Sequence, residues 1–141
     1  MRFIILVKAT EKSEAGVLPE DALIGAMATY HEELAKAGVL LDANGLQPSA
    51  KGWRVRYEGG RRSVVEGPFA ETKELVAGFW LWQVRSIEEA VEWVKRCPNP
   101  MLTDSDIEIR PIFGLEDFGD AISPECRAKD EDRRRRIEKH S

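Results

Sequence analysis

Leu75-Val76-Ala77-Gly78-Phe79-Trp80-Leu81-Trp82-Gln83-Val84 is the most strand-like stretch of this chain, because aromatic and β-branched side chains pack well on a pleated surface. Successive strand side chains point to opposite faces, so Val76, Gly78, Trp80 and Trp82 share one face, and Ala77, Phe79 and Leu81 share the other. Both faces are apolar. Arg2 to Lys8 reads as a second strand of the same kind, with Phe3, Ile5 and Val7 on one side and Ile4 and Leu6 on the other. A sheet built around two such strands needs cover on front and back.

Working outward, the loop Ala9 to Leu18 leads into a helix. Pro19 suits its first position, and Glu20 and Asp21 favour the positive end of its dipole. Leu23, Ala26, Met27, Tyr30 and Leu34 recur at spacings of three and four, which predicts the buried stripe, and Lys36 and Gly38 give the stop. Val39 to Ala43 reads as a strand with Asn44-Gly45 as its exit. Trp53 to Tyr57 and Ser63 to Glu66 form a hairpin around Glu58-Gly59-Gly60-Arg61, since paired glycines accept the positive φ of a tight turn. Downstream of the strongest strand, Ser86 caps a second helix with Glu89 completing a capping box, and Ile87, Ala90, Val91 and Val94 face inward. Cys97-Pro98-Asn99-Pro100 ends that helix, and Ile107 to Ile112 is the last strand. The order is β-α-β, an inserted hairpin, then β-α-β, which is the α+β, ferredoxin-like βαββαβ plan.

Two helices in this order cover a single face of the sheet, so the opposite face predicts a partner. At ~25 cal/mol per Å² of apolar surface, two Trp faces, a Val and first-strand residues withdrawn from water contribute several kcal/mol. Glu108 and Arg110 alternate with Ile107 and Ile109 in the last strand, which leaves an apolar centre inside a polar rim, as at an interface. A homodimer is therefore expected. The competing cover is the hairpin Trp53 to Glu66 or the C-terminal tail.

The chain of 141 residues has room for one core. Residues 1–113 are assigned to the domain and 114–141 to a partly helical, solvated tail. Ser123-Pro124 would start the tail helix, and its pairs Asp130–Arg134, Glu131–Arg135 and Asp132–Arg136 support an exposed helix by ~0.2–0.5 kcal/mol each. Arg133 to Arg136 would suit an anionic partner. The net charge of −4 argues against nucleic acid, whose binding rests on Lys and Arg neutralising phosphates. The apolar run Phe3 to Val7 is far short of the ~18 residues that span a bilayer, so the expectation is a cytoplasmic chain without membrane contact. Cys97 and Cys126 belong to no C-x-x-C pair or zinc cluster, and neither metal nor cofactor is expected.

The common catalytic signatures are absent: no G-x-G-x-x-G, P-loop, G-x-S-x-G or complete H-E-x-x-H. His31-Glu32 opens the last of these, but without a second histidine four residues on it cannot hold zinc. His31 sits at the shoulder of the buried stripe, where it could face a cavity between helix and sheet. His140 lies at the terminus. The acid and base candidates are Asp42, Glu66 and Lys73, with Glu71 nearby. A carboxylate beside Gly67-Pro68 could be held partly buried with a raised pKa. Glu66-Gly67-Pro68-Phe69 reads equally as strand exit, turn and anchoring aromatic.

The run Glu66-Gly67-Pro68-Phe69-Ala70-Glu71-Thr72-Lys73-Glu74, followed by Gly78, resembles the DGPF-domain branch of the YCII-related proteins. Glu33-Leu34, Ala37-Gly38-Val39-Leu40 and Gly45-Leu46-Gln47-Pro48 add to the resemblance, which spans residues 1 to 113. Glu66 stands where the family name has aspartate. The resemblance implies a ferredoxin-like domain pairing into a dimeric α/β barrel. It implies little about activity, although some members stand beside or are fused to extracytoplasmic-function sigma factors. The wider group carries a proposed His-Asp pair whose histidine lies near this chain's Met27, so the pair does not transfer to His31 and Asp42 without geometry that brings them together.

Two functions follow as expectations. The first is binding of a small molecule, or cofactor-free acid/base chemistry, in a helix–sheet cavity lined by Tyr30, His31, Phe69 and Trp80 or Trp82, with Glu66 and Lys73 as polar groups. The alternative is a non-enzymatic regulatory or scaffold dimer that touches a protein partner of the sigma-factor type. An RNA-binding reading of Gly78 to Trp82 meets a negative chain and aromatics split between faces.

Overall fold

A computed structural model describes residues Met1 to His140. They form two compact units, Met1–Pro111 and the segment from Ile112 onward. The first unit is mixed α+β with antiparallel sheets. Its elements are β1 (Arg2–Lys8), α1 (Glu11–Glu14), α2 (Asp21–Lys36), β2 (Leu40–Gly45), β3 (Trp53–Glu58), β4 (Arg61–Glu66), β5 (Val76–Gln83), α3 (Ile87–Lys95) and β6 (Ile107–Pro111). Four strands make one sheet in the order β2-β5-β1-β6, and β3-β4 is a separate ribbon. Every neighbouring pair is antiparallel.

Register decides which residues share a face. Ile5 pairs with Trp80 and Ile109, and Phe3 with Trp82. With Val7 these form one row, and Tyr30 and Leu34 of α2 and Ala90 of α3 pack on it as a continuous apolar core. Trp80 is 4% exposed and Trp82 is fully buried. The tryptophans are thus covered by the chain's own helices, and the surface a partner could bury is the other row: Ile4, Leu6, Phe79 and Leu81. These four are only half-buried.

Local signals explain most boundaries, and a few expectations need correction. Pro19 lies outside α2, whose N-cap is Glu20 without a side-chain bond, and Ala26 is exposed instead of joining the stripe. Asn44 and Gly45 continue β2 instead of leaving it, after a bulge between Leu40 and Asp42. The hairpin turns at Gly59 and Gly60, with φ of 54° and 78°. Ser86 caps α3 by accepting from Glu89 N at 3.2 Å, but the Glu89 carboxylate takes Arg85 N at 3.1 Å, one residue before the position a capping box uses. Ile87 is exposed. The loop Ala9 to Leu18 contains α1, closed by a reciprocal box in which Thr10 Oγ1 accepts from Ser13 N and Ser13 Oγ accepts from Thr10 N. Serine in place of the usual Glu or Gln hid that box from the sequence.

In the second unit, α4 (Pro124–Lys139) is capped by Ser123, whose Oγ accepts from Cys126 N at 3.1 Å. Arg134 reaches Asp130 at 2.8 Å and Arg136 reaches Asp132 at 3.0 Å. Asp130 is held below the usual carboxylate range, first by its hydrogen bond from Arg134. Phe113 and Phe118 pack together ahead of the helix, with ring centres 5.0 Å apart.

Candidate functional site

A cleft of about 460 Å³ lies between α2 and the β2–β5 part of the sheet, within the usual ~300–1,000 Å³ of ligand sites. Its origin is a pair of glycines. Gly45 is paired with Gly78 across β2 and β5, and Val7 of β1 is the next residue in that row. Two adjacent positions on the helix-facing surface therefore carry no side chain, and the helix above them cannot close down fully. Leu23, Ile24, Met27 and His31 of α2 form the roof, and Trp80, Ala43 and Met101 complete the walls. The strands are close here: a Cβ on Gly78 would meet the Asn44 carbonyl oxygen at 3.1 Å.

His31 is the sole ionisable side chain lining this cleft among the described residues. Its Nε2 lies 2.7 Å from Trp80 Nε1, and the rings meet edge to face. An indole N–H can only donate, so Nε2 is the acceptor and the neutral ring carries its proton on Nδ1. Burial holds the His31 pKa below its ordinary value of 6.5, because the imidazolium would lose solvent there.

The remaining candidates lie elsewhere. Tyr30 is behind the cleft: its hydroxyl donates to the Trp93 carbonyl, and its ring packs edge-on against Trp80 and Trp93. Desolvation pushes its pKa well above the ordinary 10.0. Trp82 is stacked on Trp80 and buried, with an indole N–H lacking a partner. Phe69 lines a different groove, beside Ser49 and Trp53, where the Arg54 guanidinium sits 3.9 Å above its ring. Asp42 pairs with Leu81 while Ala43 pairs with Trp80, so Asp42 projects from the face opposite His31. It is exposed and accepts from Ala43 N and Asn44 Nδ2. Glu66 and Lys73 are exposed and line neither the cleft nor the Phe69 groove. His31, Asp42, Glu66 and Lys73 thus do not converge, and of the aromatic candidates Trp80 alone joins His31.

The Glu66-Gly67-Pro68-Phe69 run is tied to the turn at Ser49–Lys51. Gly67 N donates to the Gly52 carbonyl at 2.9 Å, and Phe69 N donates to Ser49 Oγ at 3.1 Å. Glu14 of α1 accepts from Ser49 N at 3.0 Å and from the Ser49 hydroxyl. The contribution of Met27, Ala43, Gly45, Gly78 and Met101 to the cleft was not foreseen. A glycine inside the strongest strand was the available signal, since it marks a bulge or a close approach. No three His, Cys, Asp or Glu side chains are grouped to hold a metal among the described residues. No helix among them is long and apolar enough to cross a membrane.

Comparison with known proteins gives three findings. The description of the YCII-related domain matches residues 1–116. An uncharacterised protein of Rhizobium meliloti (strain 1021) is 30% identical over 86 residues, covering 61% of this chain and 69% of that protein. Among solved structures, the chain is similar to 5-chloro-2-hydroxyhydroquinone dehydrochlorinase from Burkholderia phenoliruptrix AC1100, in complex with 2,5-dihydroxybenzoquinone. That likeness has a TM-score of 0.44 and 14% identity, over 83% of this chain and 98% of the other.

Proposed function

The chain belongs to the YCII-related domain family, and from that premise we propose that it is a homodimeric small-molecule-binding protein whose site is the cleft beneath α2. The single observation that carries the reading is the cleft itself: about 460 Å³, walled almost wholly by apolar groups and holding one oriented histidine. An apolar recess with few, fixed polar groups is the usual form of a ligand site. Acid/base chemistry there would fall to His31, since no carboxylate or lysine lines the cleft. The Glu66 to Glu74 run supports placement in the DGPF branch, and the strand order β2-β5-β1-β6 supports the ferredoxin-like reading. The absence of a membrane-length helix among the described residues is compatible with a cytoplasmic location.

The dimer would bury the row Ile4, Leu6, Phe79 and Leu81. Equilibrium sedimentation at low micromolar concentration should find dimers, and Leu81→Asp should convert them to single chains. A wild type that sediments as single chains ends the dimer reading. For the cleft, a panel of apolar small molecules should shift Trp80 emission and raise the melting temperature. Gly45→Val, whose added side chain meets open space at the floor, should abolish both responses. Binding that survives Gly45→Val puts the ligand elsewhere.

A second reading rests on β3-β4. Trp53, Val55, Tyr57 and Val64 share one face of that ribbon and are all more than half exposed. Such a stripe suits contact with a protein partner, including a regulatory one of the sigma-factor type.

A further inference from the structure

We infer that His31 acts in the cleft as a hydrogen-bond donor through Nδ1, not as a proton acceptor, and that the ligand class is an uncharged, largely apolar molecule bearing one acceptor oxygen such as a carbonyl. This rests on the cleft being the binding site and adds what that site selects.

The argument begins with the indole. Trp80 Nε1 has one hydrogen and no lone pair to offer, and at 2.7 Å from His31 Nε2 it commits that nitrogen as acceptor. The proton of the neutral ring is then on Nδ1, which makes no hydrogen bond within the described residues, the bond at Nε2 being the one His31 forms. A base would need the reverse arrangement, a free lone pair facing the reactant. Here one lone pair is engaged and the other nitrogen is protonated. No carboxylate helps: Asp42 is on the opposite sheet face, Glu32 is paired with Lys36 at 3.1 Å and Glu33 with Arg96 at 3.0 Å on the outside of the domain. From the sheet and from the Pro100–Met101 loop, His31 meets no titratable group lining the cleft.

Charge selection follows from the same roster. A neutral imidazole cannot compensate an anion, and no Lys, Arg, Asp or Glu side chain lines the walls. A charged ligand would leave water for an apolar recess without a counter-charge, which costs more than the contacts return. An uncharged ligand with one acceptor loses little and gains the Nδ1–H bond. Met27 and Met101 in the walls adapt to differing apolar outlines.

Two measurements test this. Imidazole ¹⁵N spectra of the ligand-free protein at neutral pH should show His31 with a protonated Nδ1 and a bare Nε2, and Trp80→Phe should lose that preference. A protonated Nε2 in the wild type overturns the inference directly. The second measurement compares acetophenone with isopropylbenzene, which share a shape and differ in the carbonyl. Wild type should bind acetophenone about five- to tenfold more tightly, the size of one net hydrogen bond. The preference should vanish in His31→Leu and persist in His31→Gln, which keeps a donor. Equal binding of the two probes overturns the donor role while leaving the cleft as a site. Binding of neither overturns the ligand class and the cleft reading together.

Discussion

Gly67→Ala isolates what the Gly-Pro-Phe run is for. A Cβ at residue 67 would fall 1.8 Å from the Ser49 carbonyl oxygen and 2.7 Å from its carbon, where real Cβ contacts essentially never come under 3.0 Å. Both offending atoms are backbone, so no rotamer change relieves the clash, and the two segments must part by more than 1 Å. They are joined there by the bonds Gly67 N to Gly52 O and Phe69 N to Ser49 Oγ. Behind these stands the Glu14 carboxylate on Ser49. Losing two or three such bonds at ~0.5–1.5 kcal/mol each gives a destabilisation of about 1–4 kcal/mol. For a chain of this size that lowers the melting temperature by roughly 3–15 °C. Thermal and urea unfolding followed by circular dichroism read it out. Gly25→Ala is the control: nothing lies within 4 Å of its Cβ position inside α2, and alanine should stabilise that helix by up to ~1 kcal/mol. A Gly67→Ala protein that melts with the wild type refutes the packing account and returns the motif to consideration as a functional element.

Tyr30→Phe removes the hydroxyl that holds the Trp93 carbonyl. It should cost about 0.5–1.5 kcal/mol in urea unfolding and leave acetophenone affinity unchanged, since Tyr30 does not line the cleft. The pH dependence of stability carries a definite sign. His31 has its pKa lowered below 6.5 by burial, so the unfolded chain takes up its proton first. The contribution of the neutral ring is complete above pH 6.5 and is lost as pH falls from there through the folded value. Melting temperature should decline from pH 7 to pH 5, and His31→Gln should flatten that decline. An identical slope in the variant would contradict a half-buried, Trp-bonded imidazole.

Strand and helix order were legible because each rests on a local signal: alternation in Arg2 to Lys8 and Val76 to Gln83, the Gly59-Gly60 turn, the Ser86 cap. The face on which each tryptophan lies was legible too. Which face the helices cover was not, since alternation cannot say which side of a sheet faces inward when both are apolar. That depends on α2 and α3 docking over Trp80 and Trp82, a choice made by tertiary packing. The same limit governed the site. His31 and Trp80 are 49 residues apart, and no periodicity reports a bond between them. Asp42 is an acid/base candidate by residue type, but a bulge between Leu40 and Asp42 fixes which way it projects. A bulge shifts parity, and parity decides the face.

The two glycines of the motif region therefore have different physical reasons. Gly67 is small because another stretch of backbone occupies its side-chain position. Gly45 is small and leaves a space: nothing lies within 4 Å of its Cβ position, and its neighbour across the ladder is Gly78 and not a residue that could fill the gap. α2 shows the consequence along its length. Leu23, Tyr30 and Leu34 are buried, while Met27, midway between the first two, is only partly so. The stripe is interrupted where the floor is missing. A helix anchored by Tyr30 and Leu34 at one end and Leu23 at the other spans that gap without collapsing into it. The recess is thus a by-product of the same close-packed core that fixes the fold, and the one ionisable side chain that lines it among the described residues, His31, is oriented by a core residue. A change that repacks Trp80 should consequently alter ligand preference before it alters the fold.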